Sequence, residues 1–141
     1  MDVVNEVMPT SEGRMKKMME PGPDGPIYMV NLLKFKERAE YEDGRETDLT
    51  GREAYQLYGQ AVTGLLAEFG GKIVFLGDVT FLALGQVDDL WDEVAIARYP
   101  ARSDLLAMSS SDAWQEAAVH RTAGLAGQLN IETVAPLGEF G

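Results

Sequence analysis

The sequence has no cysteine and one histidine in 141 residues. Disulfides, thiolate nucleophiles and cysteine-ligated metals are excluded, and a zinc site has too few of its usual ligands to be expected. Positive charge is also scarce. Twelve Lys and Arg stand against 23 Asp and Glu, giving a formal net charge of −11 and a pI near 4.4. Phosphate backbones and anionic membrane surfaces call for clustered Lys and Arg. Neither nucleic acid nor a membrane is therefore an expected partner, and the negative charge reads as solubility. No apolar run approaches the roughly 18 residues of a spanning helix. The opening MDVVNEV has neither the basic nor the apolar region of a signal peptide. The expected setting is cytoplasmic. No GxGxxG, P-loop, GxSxG or HExxH motif occurs.

What remains has an ordinary globular balance, 45% hydrophobic and 25% charged, and its length fits one domain spanning 1–141. The folded core is expected over about 25–136, preceded by an N-terminal helical arm over about 1–24. Residues 1–9 are weakly patterned. Thr10 or Ser11 caps a short helix to about Met19, and the run PGPDGP at 21–26 breaks it. Residues 27–35, IYMVNLLKF, read as a strand apolar on both faces, with Asn31 between Met29 and Leu33. A buried Asn must be hydrogen-bonded, either to the protein or to a ligand. Residues 36–51 are polar and long for a connection, which suggests a mobile segment or a lid. Thr50 and Glu53 form a capping box for a helix to about Phe69, whose apolar stripe holds Tyr58.

Gly70 and Gly71 end that helix, and residues 72–84 read as a long strand with a bulge or a close approach at Gly77 and Asp78. A turn over 85–90 leads to a return strand over 91–99. Asp88, Asp89, Asp92 and Glu93 there read as a solvated acidic turn, with a hard-cation site as the lesser alternative. Residues 101–108 form a short helix with Ser103 as a candidate cap, residues 111–125 a second helix, and 128–135 a last strand.

The helix over 111–125 carries Trp114, Ala117, Ala118, Arg121 and Leu125 on one stripe, with His120 about 100° away. Arginine stays charged. On a buried face it needs a carboxylate or an anionic ligand; near the helix C-terminus it can instead snorkel to water. Both readings stand at this point. A serine triad from Ser109, Ser110 or Ser111 with His120 and Asp112 fails, because the serines lie about two turns from the histidine.

The order is a short helix followed by β-α-β-β-α-β. This predicts an α+β, ferredoxin-like fold with an antiparallel sheet and helices on one face. The strands are apolar on both faces and no further segment is available to cover the second. A homodimer joined through its sheet faces is expected.

Several phrases carry a resemblance: GPIYMVNLLKF, TGREAYQLYGQAV, GGKIVFLGDV, WDEVAIARYPARSDLLAM and SDAWQEAAVHRTAGLAG. Together, over about residues 25–136, they resemble domain-of-unknown-function family 1330 in the dimeric α/β-barrel superfamily. The resemblance implies a barrel made by two sheets and a ligand region between sheet and helices. That region would be lined by Asn31, Tyr58, Trp91, Arg98, Trp114, His120 and Arg121. The wider superfamily includes cofactor-free oxygenases, isomerases and haem enzymes. Haem-degrading members are similar in the SD-aromatic pattern of the last helix, but their iron-ligating histidine aligns with Ala118. His120 is about 200° further round, and the aromatic expected before the SD aligns with Met108. No haem or other cofactor is expected.

Two functions follow. The first is a small-molecule binder, and in its catalytic form a cofactor-independent oxygenase- or isomerase-like enzyme on an aromatic or carbonyl metabolite. There His120 is the candidate general base, Arg121 or Arg98 holds a carboxylate or enolate, and Asn31 and Tyr58 orient the substrate. The alternative is a non-catalytic structural or sensing homodimer, which pairs Arg121 with Asp78, Asp92 or Glu132.

Overall fold

A computed structural model describes residues 11–138; the arm expected over 1–9, the alternative cap Thr10 and the last residues of the tail lie outside them. The elements are α1 (Glu12–Met18), β1 (Ile27–Phe35), α2 (Gly51–Glu68), β2 (Lys72–Asp78), β3 (Glu93–Tyr99), α3 (Arg102–Ser109), α4 (Asp112–Gly124) and β4 (Leu125–Thr133). The strands form an antiparallel sheet in the order β2-β3-β1-β4. This is the ferredoxin-like arrangement that the element order predicts.

Local chemistry accounts for most boundaries. The Ser11 side chain accepts from Arg14 N and starts α1. Thr50 and Glu53 complete a reciprocal capping box: Glu53 N donates to Thr50 Oγ1 at 3.1 Å and Thr50 N to Glu53 Oε1 at 2.9 Å. Ser111 caps α4 through Trp114 N. Ser103 does not cap α3. The N-cap is Ala101, without a side-chain bond.

Three strand boundaries differ from the sequence expectation. β2 stops at Asp78, not near Leu84, because its partner β3 begins only at Glu93; the pairing ends with Val79 N donating to Asp92 O. Asp92 turns away and uses its carboxylate to accept from Phe35 N at 2.9 Å, so β3 starts two residues after Trp91. β4 begins at Leu125, directly after α4, because Leu125 is buried and pairs with Phe35 across a register shift. The bulge in β2 lies between Ile73 and Phe75, ahead of Gly77. At Gly77 the end of the half-exposed Phe75 ring lies close, 2.8 Å from where a Cβ would stand, and that ring is free to turn aside.

Strand alternation assigns the two faces of the sheet. Ile27, Met29, Ala97 and Tyr99 pack against Val62 and Leu66 of α2 and Met108 of α3. Each such large aliphatic side chain contributes about 1.5–3 kcal/mol on burial. The opposite face carries Val30, Leu32, Val94, Ile96, Leu129 and Ile131, with Phe75 beside Ile96. Arg102 closes one end of the layer through a fork to Glu132, with both N–O distances 2.7 Å. It also donates to the carbonyls of Lys17 and Glu20, which ties α1 to β4.

The connection over 36–50 is fastened to both helices. Lys36 N donates to Gly124 O, Glu40 N to Ala123 O and Gly51 N to Lys36 O. Ala39 and Tyr41 are buried with Ala54 and Ala123 at the α2–α4 seam. The backbones meet so closely there that a Cβ on Gly124 would overlap the Gly51 carbonyl, and one on Gly51 the Lys36 carbonyl. Gly124→Ala is expected to cost about 2 kcal/mol or more by overpacking, measured as the shift of the urea unfolding curve.

Candidate functional site

The registers place helix-facing residues in rows across the sheet. One row reads Asp78, Glu93, Leu33 and Gln128; the next reads Leu76, Ala95, Asn31 and Asn130. The rows beyond, around Met29, Ala97, Ile27 and Tyr99, are apolar core. The helix face of the sheet is thus split. Its apolar half lies under the C-terminal half of α2, and its polar half under the N-terminal half of α2 and the end of α4.

Asn31 is the centre of the polar half. Its Nδ2 donates to Ala95 O at 3.1 Å and to Met29 O at 3.3 Å. Its Oδ1 accepts from Gln128 Nε2 at 2.7 Å and Asn130 Nδ2 at 2.6 Å. Both amide hydrogens and both lone pairs are used. Gln128 in turn accepts from Arg121 Nη2. Asn31 therefore positions Gln128, and Gln128 positions Arg121. The carboxylates named for Arg121 are engaged by other cations: Asp78 by Arg52 at 3.0 Å, Asp92 by Lys34 at 3.5 Å and Glu132 by Arg102 at 2.7 Å.

An aromatic wall runs across the boundary between the two halves: Phe35 and Tyr55 pack on Leu33 and Ala95 of the polar half, and Tyr58 and Trp114 continue onto the apolar core. Phe35 and Tyr55 have ring centroids 5.4 Å apart, Tyr55 and Tyr58 5.2 Å, and Tyr58 and Trp114 6.4 Å. Trp114 Nε1 donates to the Tyr58 hydroxyl at 3.1 Å. Among the described residues no acceptor takes the hydroxyl protons of Tyr55 and Tyr58. Burial pushes both phenols up, and the positive charge of Arg121 acts on both in the opposite direction. They are neutral donors beside a cation, an arrangement suited to an oxygen acquiring negative charge.

The sequence-predicted residues divide. Asn31, Tyr58, Trp114 and Arg121 come together. Arg98 does not: it pairs with Tyr28 and, by alternation with the core residues Ala97 and Tyr99, faces away from the helices. Trp91 is buried ahead of β3, and among the described residues it makes no ring contact with the wall. His120 is directed to the connection, where its Nδ1 lies 2.6 Å from the Tyr41 hydroxyl and the rings meet edge-on. Its place about 100° round the helix from Arg121 takes it to the seam.

Tyr55, Phe35, Glu93, Gln128 and Asn130 were not singled out from the sequence. Tyr55 lies three residues before Tyr58, hence on the same helical face. Gln128 and Asn130 show the period of two that places them together on one face of β4. Of the acidic turn, Asp89 lies 3.1 Å from Lys34 Nζ. Among the described residues no three His, Asp or Glu side chains gather as a metal ion would require, and no helix is long and apolar enough to cross a membrane.

A family model, described as a domain of unknown function (DUF1330), matches residues 44–133. No curated protein matches the chain. Among solved structures, the RPA0582 protein of unknown function from Rhodopseudomonas palustris is 30% identical, covers 96% of this chain and 100% of its own, and has a TM-score of 0.83. The structure of methylated RPA0582 protein is 32% identical with the same coverage and TM-score. A dimeric protein of unknown function and ferredoxin-like fold from Bacteroides fragilis is 10% identical, covers 77% of this chain and 94% of its own, and has a TM-score of 0.51. That last likeness concerns the fold alone.

Glu93 is half-buried in the polar half, and burial raises its carboxyl above the usual range; Arg52 partly offsets this and Asp78 adds to it. Between the unfolded and folded pKa the folded state holds the extra proton, so stability falls as pH rises through that window. Glu93→Gln is expected to melt higher than wild type near neutral pH. The two curves should converge in acid, once both side chains are neutral, as read from Tm against pH.

Proposed function

The chain belongs to the DUF1330 family, and we propose that it binds a small aromatic, carbonyl-bearing molecule between its sheet and helices α2 and α4, as a cofactor-independent enzyme working in a homodimer. The observation that carries this is the set of hydroxyl donors of Tyr55 and Tyr58 in the field of Arg121, between aromatic rings and an amide floor centred on the fully hydrogen-bonded Asn31. A core built only for stability places apolar groups in such a layer, as the other half of this sheet does. Ring faces on Phe35, Tyr55, Tyr58 and Trp114 suit an aromatic ligand, and the donors suit its carbonyl oxygen. Isomerase-like proton transfer through an enolate fits this set, since it needs an oxyanion site and no bound cofactor.

The dimer reading rests on the opposite face of the sheet. Val30, Leu32, Val94, Ile96 and Leu129 form its apolar centre, and Phe75 and Ile131 remain 52% and 45% exposed. The Tyr28 hydroxyl on that face is buried and, among the described residues, has no hydrogen-bond partner. A second sheet laid over this face removes apolar area from water at about 25 cal/mol per Å². The dimeric Bacteroides fragilis protein of similar fold supports this reading.

Two experiments test these points. Tryptophan fluorescence during titration with benzoylformate, an aromatic 2-oxo acid, should give saturable quenching, and Arg121→Ala and Tyr58→Phe should each raise Kd about tenfold, equivalent to about 1.4 kcal/mol. Quenching that is absent or unaltered in both variants contradicts the site. Light scattering should give twice the chain mass, falling toward one chain mass in Ile96→Asp; a wild-type monomer contradicts the dimer.

A further inference from the structure

We propose that Glu93 is the proton acceptor of this site and that its substrates are aromatic carbonyl compounds with an acidic hydrogen on the carbon next to the carbonyl. The inference deepens the ligand-site reading above and rests on it. His120, the only residue whose usual titration falls near neutrality, is committed to Tyr41 at the seam. The polar half of the layer must therefore supply its own base, and Glu93 is the carboxylate placed to do so.

The placement follows from the register. Glu93 stands directly opposite Leu33 in β1, on the same face, where side chains start about 5 Å apart. Leu33 is fully buried and packs with Phe35 and Tyr55. Glu93 thus projects at the foot of the aromatic wall, with its charge felt at the Tyr55 hydroxyl. Arg52 acts on its charge through space and is not paired with it. Arg52 is held by Asp78 at 3.0 Å and lies 4.7 Å over the Phe35 ring. Among the described residues the Glu93 carboxylate accepts no hydrogen bond and forms no ion pair, its ladder bonds being those of the backbone. A half-buried carboxylate without a fixed partner keeps its lone pairs for a substrate proton. Partial desolvation strengthens it as a base, as its raised carboxyl reflects.

The step balances without a cofactor. A Glu93 oxygen takes the hydrogen from the carbon beside the carbonyl. The C–H electron pair becomes the new C=C bond, and the carbonyl π pair moves onto oxygen. The Tyr55 and Tyr58 hydroxyls hydrogen-bond to that oxygen in the field of Arg121. Return of the proton to oxygen gives the enol; return to carbon restores the ketone, with solvent hydrogen exchanged in. No electron enters or leaves.

Phenylpyruvate is the probe, because its benzylic hydrogens lie between a ring and a carbonyl. Benzoylformate is the control, because it has no such hydrogen. In D₂O, wild type should accelerate loss of the benzylic proton signal of phenylpyruvate. Glu93→Gln should lower that rate by about 100-fold or more at saturating phenylpyruvate, and Glu93→Asp should retain part of it; saturable quenching by benzoylformate in both variants separates lost exchange from lost binding. Exchange in Glu93→Gln at the wild-type rate overturns the proposal. So does a wild type that binds both compounds but accelerates no exchange, and in that case the ligand site stands. A wild type that binds neither overturns both.

Discussion

The hydrogen bonds that Asn31 demands organise this molecule. One amide side chain in the middle of an apolar strand would be destabilising if it were buried alone. Here it bonds to carbonyls of β1 and β3, and its oxygen draws in Gln128 and Asn130 from β4. The small Ala95 beside it leaves the row low. The consequence is a boundary across the sheet. On one side aliphatic rows seal against α2 and α3. On the other an amide floor, fully satisfied at Asn31, lies beneath tyrosines whose hydroxyls have protons to give. A network of this kind is tolerated only when fully connected, and this one is connected through to Arg121.

The fold was legible because local and global signals agree. β1 has the residues expected of it, the capping box fixes the start of α2, and Ser111 caps α4. The errors lie where an element's length is decided by its partner. Residues 80–84 have strand composition, yet among the described residues no strand pairs with them once Asp92 has turned to β1. Leu125 fits the helical stripe, yet the strand takes it because Phe35 is opposite. Periodicity describes one segment at a time and cannot register where the neighbouring segment stops.

The site was legible in half. Tyr58, Trp114 and Arg121 share helical stripes, and Asn31 broke an apolar strand, so each stood out against its own element. Glu93 did not, because among Asp88, Asp89 and Asp92 it reads as one more charge of a solvated turn. Only the pairing of Glu93 with Leu33 separates it from Asp89 and Asp92, which go to Lys34. His120 attracted attention as the one histidine, and its role is to fasten the connection over the seam through Tyr41. Rarity in a sequence is a weaker guide than phase: Arg121, one residue on, faces the layer, and His120 does not.

Whether a ligand binds in the polar half of the helix–sheet layer is decided by a crystal structure determined with phenylpyruvate. The expected density has the ring against Tyr55, Tyr58 and Trp114, the carbonyl oxygen within hydrogen-bonding reach of a tyrosine hydroxyl, and the benzylic carbon turned to Glu93. Density seated instead at the Tyr41–His120 seam or on the opposite face of the sheet, with the wall empty, would contradict binding in the polar half.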